Sequence, residues 1–270
     1  MTGDARLEQL LCDAMELQAG GRLGEGYERL REWLRIRVRR GDPQGQGAPR
    51  TRVAIPRTTL VCVDCRDYDL AADALKRCLE RCSFERAKWF TDAGAEARVE
   101  GVETVPIPKI ASTAAYSRFV MKELDRHIDT DFALLVQYDG YILNARCWSD
   151  EFLEYDYIGA RWPAEDWITV GNGGFSLRSK RLLRALQDPE IEPAHPEDIA
   201  ICRTHRERLE DRHGIRFAPE EVAARFSFET VPSDGPTLGF HGLGHLINLY
   251  DMTSAEVAAY RPPRLGVLSR

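Results

Sequence analysis

No stretch of this 270-residue sequence approaches the roughly 18 consecutive apolar residues that a membrane span requires. The opening residues, MTGDARLEQLLCDAMEL, carry acids where a secretory signal carries bases, and no long apolar core follows, so the expectation is a cytoplasmic protein without a transmembrane segment. A basic excess is missing too. Lys and Arg number 37 against 43 Asp and Glu, giving a net charge of −6. That balance argues against a globally basic nucleic-acid binder, and no nucleic-acid partner is expected. The cysteine count, seven, is odd, which argues against a disulfide framework. Hydrophobic residues at 43% and charged residues at 30% exclude disorder along the whole chain. The length suits one sizeable domain with an appendage, or two small domains.

Cys62-x-x-Cys65 and Cys78-x-x-x-Cys82 have spacings that zinc sites use. However, TLVCVDC reads as a buried strand, whose positions three apart face opposite ways. Cys78 and Cys82 sit one helical turn apart on an apolar stripe. The four are read as core thiols, with zinc the minor alternative.

Leu7, Leu10, Leu11, Ala14 and Leu17 recur at helical spacing, as do Tyr27, Leu30, Leu34 and Val38, with Gly20 and Gly21 between them. Residues 1–47 are read as one tetratricopeptide-like helical hairpin with its linker, and residues 48–270 as the main domain. One copy is too few for a solenoid, so the hairpin should pack on the main domain or on a second subunit. GDPQGQGAPRTR, residues 41–52, reads as a linker. Nine arginines lie between Arg29 and Arg57 against only Glu32 and Asp42. They form either a solvated helix face or a patch for a protein or other acidic partner.

From residue 58 the pattern alternates. TTLVCVD, RAKWFTD, VETVPIPK and FALLVQYD read as strands, and LAADALKRCLERC and AAYSRFVMKELDRHI as helices. That succession predicts an α/β domain with a mostly parallel sheet, which binds ligands beyond the carboxyl ends of its strands. Four groups draw attention on chemical grounds. Asp139, closing the apolar strand in Gln137-Tyr138-Asp139-Gly140, could hold a divalent metal beside a diphosphate or simply open a turn. Gly171-Asn172-Gly173-Gly174 allows close backbone approach to a ligand, but it has neither dinucleotide-fold nor P-loop spacing, and a hairpin turn explains it equally. Glu197-Asp198 opens a helix, as general base or as cap. His241, between glycines, is a candidate metal ligand. The aromatics Trp148, Tyr155, Tyr157, Trp162 and Trp167 could stack on sugars or cover a core, and Asp156 could bind a sugar hydroxyl or be a loop acid.

Read in order, LVCVDCRDYDLAADALKRC, YSRFVMKEL, LLVQYDGYILNARCWSDEFLEYDYIGARWP, VGNGGFSLRSKRLL, PEDIAICR and GFHG resemble a bacterial family, DUF5672, regarded as glycosyltransferases with the GT-A fold. The resemblance runs from about Thr59 to Gly242. It implies a GT-A-like, mostly parallel sheet flanked by helices, and transfer of a sugar from a nucleotide-diphosphate donor, UDP- or GDP-linked, to an acceptor. It further implies Mn²⁺ or Mg²⁺ on Asp139 and His241, with Gln137 standing where such folds usually carry the first acid of an Asp-x-Asp motif. By the same resemblance Asp64 and Arg66 face the nucleotide, Arg118 approaches the diphosphate, and Gly173 and Gly174 line the donor sugar. Glu197-Asp198 matches the acidic pair whose Asp is the base of inverting enzymes. The alternatives are a non-catalytic nucleotide- or glycan-binding module and a nucleotidyltransferase on a related fold.

Overall fold

In a computed structural model, the structure describes residues 3–40, 51–92, 98–163, 166–250 and 260. Most of the glycine- and proline-rich linker lies outside the described residues. Two antiparallel-packed helices come first, α1 (Gly3–Ala19) and α2 (Leu23–Arg40). A six-stranded sheet follows, built from β1 (Thr58–Val63), β2 (Arg86–Thr91), β3 (Glu103–Pro106), β4 (Phe132–Val136), β5 (Tyr157–Ile158) and β6 (Phe175–Ser179). The order across it is β3-β2-β1-β4-β6-β5. The first four strands are mutually parallel, and β6 runs antiparallel to both β4 and β5. The expected α/β class with a mostly parallel sheet is what the chain forms.

β1 and β4 are buried at every residue, which is why they read as unbroken apolar runs. Leu60, Cys62, Leu134 and Val136 face one core, while Val61, Val63, Ala133 and Leu135 face the other. This is the two-residue alternation of a pleated strand covered on both sides. Helix α3 (Tyr68–Arg81) packs on the first face, and α4 (Thr113–Lys122) on the second. Ser112 caps α4 by accepting the Ala115 N–H at 3.1 Å. Ser179 likewise caps α5 (Lys180–Ala185) by accepting the Leu182 N–H at 2.9 Å.

The rest of the chain returns to the carboxyl ends of the strands. It comprises the single turn α6 (Glu197–Ile199), then α7 (Arg206–His213), α8 (Glu220–Phe226), the parallel pair β7 (Ser227–Phe228) and β8 (Gly239–Phe240), and α9 (Leu243–Tyr250). The helix expected from Ile199 onward is broken by a wide turn over Ala200–Thr204, where the His205 N–H reaches back to the Ala200 carbonyl at 2.9 Å. Leu7, Leu10, Ala14, Leu30, Trp33 and Leu34 of the hairpin belong to the same apolar core as β1 and α3. β1 ends at Val63, so Cys65 sits in the following turn rather than on the strand as its pattern suggested. All seven cysteines are free thiols, and Cys62, Cys65, Cys78 and Cys82 are buried. Among the described residues no helix is long and apolar enough to cross a membrane.

Candidate functional site

β1 leads to β2 on one side, and the chain returns to β4 on the other. The boundary between β1 and β4 is therefore the topological switch point, where the crevice of an open α/β sheet lies. At its edge, Asp64 Oδ1 accepts the backbone N–H groups of Arg66 and Asp67, both at 2.7 Å. Burial pushes the Asp64 carboxyl up to about 6, against the pull of those two hydrogen bonds. Arg66 is exposed and pairs with Glu28 of α2.

The turn after β4 is gripped by backbone from two other segments. The Gln137 N–H donates to the Gly174 carbonyl at 3.0 Å, and the Gly242 N–H to the Asp139 carbonyl at 3.0 Å. These bonds draw the turn, the glycine run and the loop after β8 together. His241 stands at their junction. Its Nδ1 lies 2.9 Å from Glu229 Oε1, and its Nε2 lies 3.2 Å from Gln137 Oε1 and 3.3 Å from Asp139 Oδ1. Burial alone would push its pKa down, but Asp139 and Glu229 outweigh that and hold it well above the ordinary imidazole value.

Asp139 is buried, and its Oδ1 has no hydrogen-bond partner beyond the 3.3 Å contact with His241 Nε2. A carboxylate oxygen whose one charged neighbour is the imidazole, an amide oxygen and the imidazole Nε2 thus converge, while the other ring nitrogen is oriented by a carboxylate. That is how a metal-binding histidine is ordinarily oriented. Carboxylate and amide oxygens with one imidazole suit Mn²⁺ or Mg²⁺, which commonly take their remaining ligands from phosphate and water. Among the described residues no group of three or more His, Cys, Asp or Glu is placed to hold a metal ion. The donors present fit an open ion site shared with a ligand.

The glycine run supplies the opposite wall. A Cβ on Gly174 would overlap the His241 ring, and one on Gly173 would overlap the Glu197 carboxylate. Asn172 adopts φ 69°, and its Oδ1 accepts the Gly174 N–H at 2.8 Å. Glycine is needed here for room rather than for a hairpin turn. Behind the run, Arg178 is fully buried and donates from Nη2 to Glu197 Oε1 at 3.1 Å and from Nε to Ser176 Oγ at 3.0 Å. Glu197 is thereby tied down, whereas Asp198 turns toward the glycine run and accepts the Gly173 N–H at 3.2 Å. Burial and the neighbouring Glu197 push the Asp198 pKa up.

Asp64, Gln137, Asp139, Gly173, Gly174, Glu197, Asp198 and His241 therefore surround the strand ends as a group. Arg118 is exposed on α4 and lies near enough to Lys122 to act on its charge. From α4 it is Tyr116 that reaches the group, through a hydrogen bond with Gln137. Asp156 is occupied by Ser179 Oγ at 2.5 Å and the Arg216 N–H at 2.8 Å, which makes it a structural acid. Trp162 lies against Gly171, while Trp167 is exposed beneath Arg206. The arginines of α2 find acids within the chain: Arg29 pairs with Glu32, Arg31 with Glu28, Arg35 with Asp67 and Arg39 with Asp69. Three residues escaped the sequence reading. Glu229 follows a two-residue strand and belongs to no motif, and Tyr116 stands in an ordinary amphipathic helix. Only Arg178 left a trace, as a charge in the otherwise buried strand FSLRS.

The family described as "Protein of unknown function (DUF5672)" matches residues 100–241, more than half of the chain. No curated protein matches. Among solved structures, one similar chain is the mannosyltransferase PcManGT from Pyrobaculum calidifontis in complex with GDP-Man and Mn²⁺, at 14% identity and a TM-score of 0.38, over 79% of this chain and 67% of that one. Another is the apo-form glycosyltransferase GlyE of Streptococcus pneumoniae TIGR4, at 10% identity and a TM-score of 0.43, over 77% of this chain and 62% of that one. The chain thus spans about two thirds of the length of each. It belongs to the DUF5672 family.

Proposed function

We propose that this DUF5672 chain is a glycosyltransferase that moves a sugar from a nucleotide-diphosphate donor to an acceptor hydroxyl or similar nucleophile. The observation that carries the reading is the set of contacts that joins Asp139 to His241, His241 to Gly174 and Gly173 to Asp198 beside the switch point of the sheet. Asp139 Oδ1 and His241 Nε2 would hold Mn²⁺ or Mg²⁺, with the ion taking the place of the Nε2 proton and Gln137 Oε1 beside it. The bound ion would neutralise charge that gathers on the leaving diphosphate. Glu229 fixes the ring from behind. Asp64 and Arg66 border the nucleotide side of the crevice, and Gly173 and Gly174 let the donor sugar approach the backbone. Asp198 takes the acceptor proton. Burial and Glu197 raise its pKa, which makes the carboxylate a stronger base, and a base opposite the leaving group would imply inversion of the sugar carbon. Glu197 does not exchange protons in this reading; held by Arg178, it sets the position of Asp198. Arg118, exposed on α4, would approach the donor diphosphate. The hairpin of residues 1–47 and the domain of residues 48–270 are taken as one packed body.

The test is a thermal-shift screen with UDP, GDP and their sugar conjugates, each with and without Mn²⁺. A ligand confined to the native state adds about 2.7 kcal/mol of stability at a hundred times its Kd. The reading expects a metal-enhanced shift with one nucleotide, lost in Asp139→Ala. No shift with any nucleotide would overturn it and favour a non-catalytic module.

A further inference from the structure

The turn that carries Asp139 is held on two sides by backbone, from Gly174 and from Gly242. Its third side is held by a side chain from outside the sheet. Arg31 of α2 donates from Nε and Nη2 to the Tyr138 hydroxyl at 3.1 and 2.9 Å, and its guanidinium lies 5.4 Å over the Tyr138 ring. From Nη1 it donates to Glu28 at 2.6 Å, and Glu28 in turn pairs with Arg66. Its Nε also lies 3.7 Å from Asp67, whose side chain is wholly buried and is bound on its other oxygen by Arg35. One guanidinium thus ties the loop after β1, through Asp67, to the loop after β4, through Tyr138. These two loops flank the switch point.

We infer that helix α2 is a working part of the site, with Arg31 a positioning residue that fixes Tyr138 and, through it, Asp139. The inference rests on the reading of the crevice given above. Each nitrogen of Arg31 is engaged inside the chain, so it acts by holding the turn rather than by meeting a ligand. Leu30, Trp33 and Leu34 anchor the same helix in the common core, which fixes the guanidinium relative to the sheet. Two donors on one hydroxyl, a third on Glu28 and a face on the ring require a planar fork, which lysine lacks. The hairpin lies outside the residues matched by the family, whereas Tyr138 lies inside them. In this chain a segment beyond the matched region thus holds a turn inside it.

The test is a double-mutant cycle on the full chain, read by calorimetric titration of GDP and UDP in saturating Mn²⁺, with urea unfolding in parallel. Arg31→Met is expected to weaken binding of the recognised nucleotide about tenfold, the lower end for loss of a supporting partner at a metal site. Tyr138→Phe should do much the same, and the double variant should be no weaker than the weaker single. Arg31→Lys should recover part of the loss, and it remains informative if Arg31→Met does not fold. A lower unfolding midpoint with unchanged Kd would reduce Arg31 to a structural role and overturn the inference. So would losses that multiply in the double variant. Asp139→Ala separates the two levels. If it loses binding while the Arg31 and Tyr138 variants keep it, only the inference fails. If it binds like wild type, the site reading fails and the inference falls with it.

Discussion

Removing the Glu197 carboxylate should strand a charge in the interior. Arg178 has no exposed surface and Glu197 only 5%. In Glu197→Ala the guanidinium keeps Ser176 Oγ at 3.0 Å, a long 3.5 Å contact with the Gly173 carbonyl, and the Tyr157 ring at 5.4 Å. None of these carries a negative charge. Breaking a buried pair from one side costs about 3–5 kcal/mol. For a chain of this size that corresponds to a fall in Tm of roughly 6–20 °C, at about 2–4 °C per kcal/mol. Replacing both partners, as in Arg178→Met with Glu197→Met, removes the stranded charge and should restore most of the loss. Urea unfolding of the three variants measures this directly. A loss below about 1 kcal/mol in Glu197→Ala, or a double variant as unstable as the sum of the singles, would refute the claim that Glu197 is a structural partner rather than a free acid.

Gly174→Ala should push the His241 ring off its seat, abolishing the Mn²⁺-dependent nucleotide shift at a stability cost of about 1–3 kcal/mol, checked by thermal and urea unfolding of the same sample. Asp64 carries a carboxyl raised from 3.8 to about 6, so between those pH values the native state keeps a proton that the unfolded chain has released. Stability contributed by this group therefore falls as pH rises through that window, by at most about 3 kcal/mol. Asp64→Asn, which keeps the Oδ1 acceptor, should stabilise the protein above pH 6 and change little below pH 4; the opposite trend in a pH series of unfolding curves would contradict the burial argument. Asp198→Asn should abolish sugar transfer while leaving nucleoside diphosphate binding intact, and a variant that still turns over would remove Asp198 from the role of base.

The sheet was legible because β1 and β4 are covered on both faces, and such strands print themselves as apolar runs. Asp139, Gly173-Gly174, Asp198 and His241 were each ambiguous alone. What made them candidates was their place beyond a strand end, at a helix start or in glycine-rich loops, together with the resemblance to DUF5672, and the structure brings them to the same end of the sheet. The partners behind them were not legible. Glu229 holds His241 from a loop without motif, and Arg31 reaches Tyr138 across 107 residues of sequence. Side-chain contacts of that range leave no period and no spacing. The same blindness affected the arginine-rich stretch, which read either as a solvated helix face or as a patch for an acidic partner. Glu28 pairs with Arg31 within α2, and folding brings Asp67 and Asp69, acids of the same chain, to that helix. Asp156 failed as a ligand candidate for a related reason, since Ser179 and the Arg216 backbone already occupy its carboxylate.

The central claim is that Asp139 and His241 form the ion-holding end of a nucleotide-sugar site. Crystals grown with Mn²⁺ and the nucleoside diphosphate chosen by thermal shift, measured for anomalous scattering at the manganese edge, test it most directly. The account predicts one strong peak between Asp139 Oδ1 and His241 Nε2, with diphosphate oxygens completing the ion's shell. A peak elsewhere on the chain, or a nucleotide bound while His241 stays closed on Asp139, would contradict it.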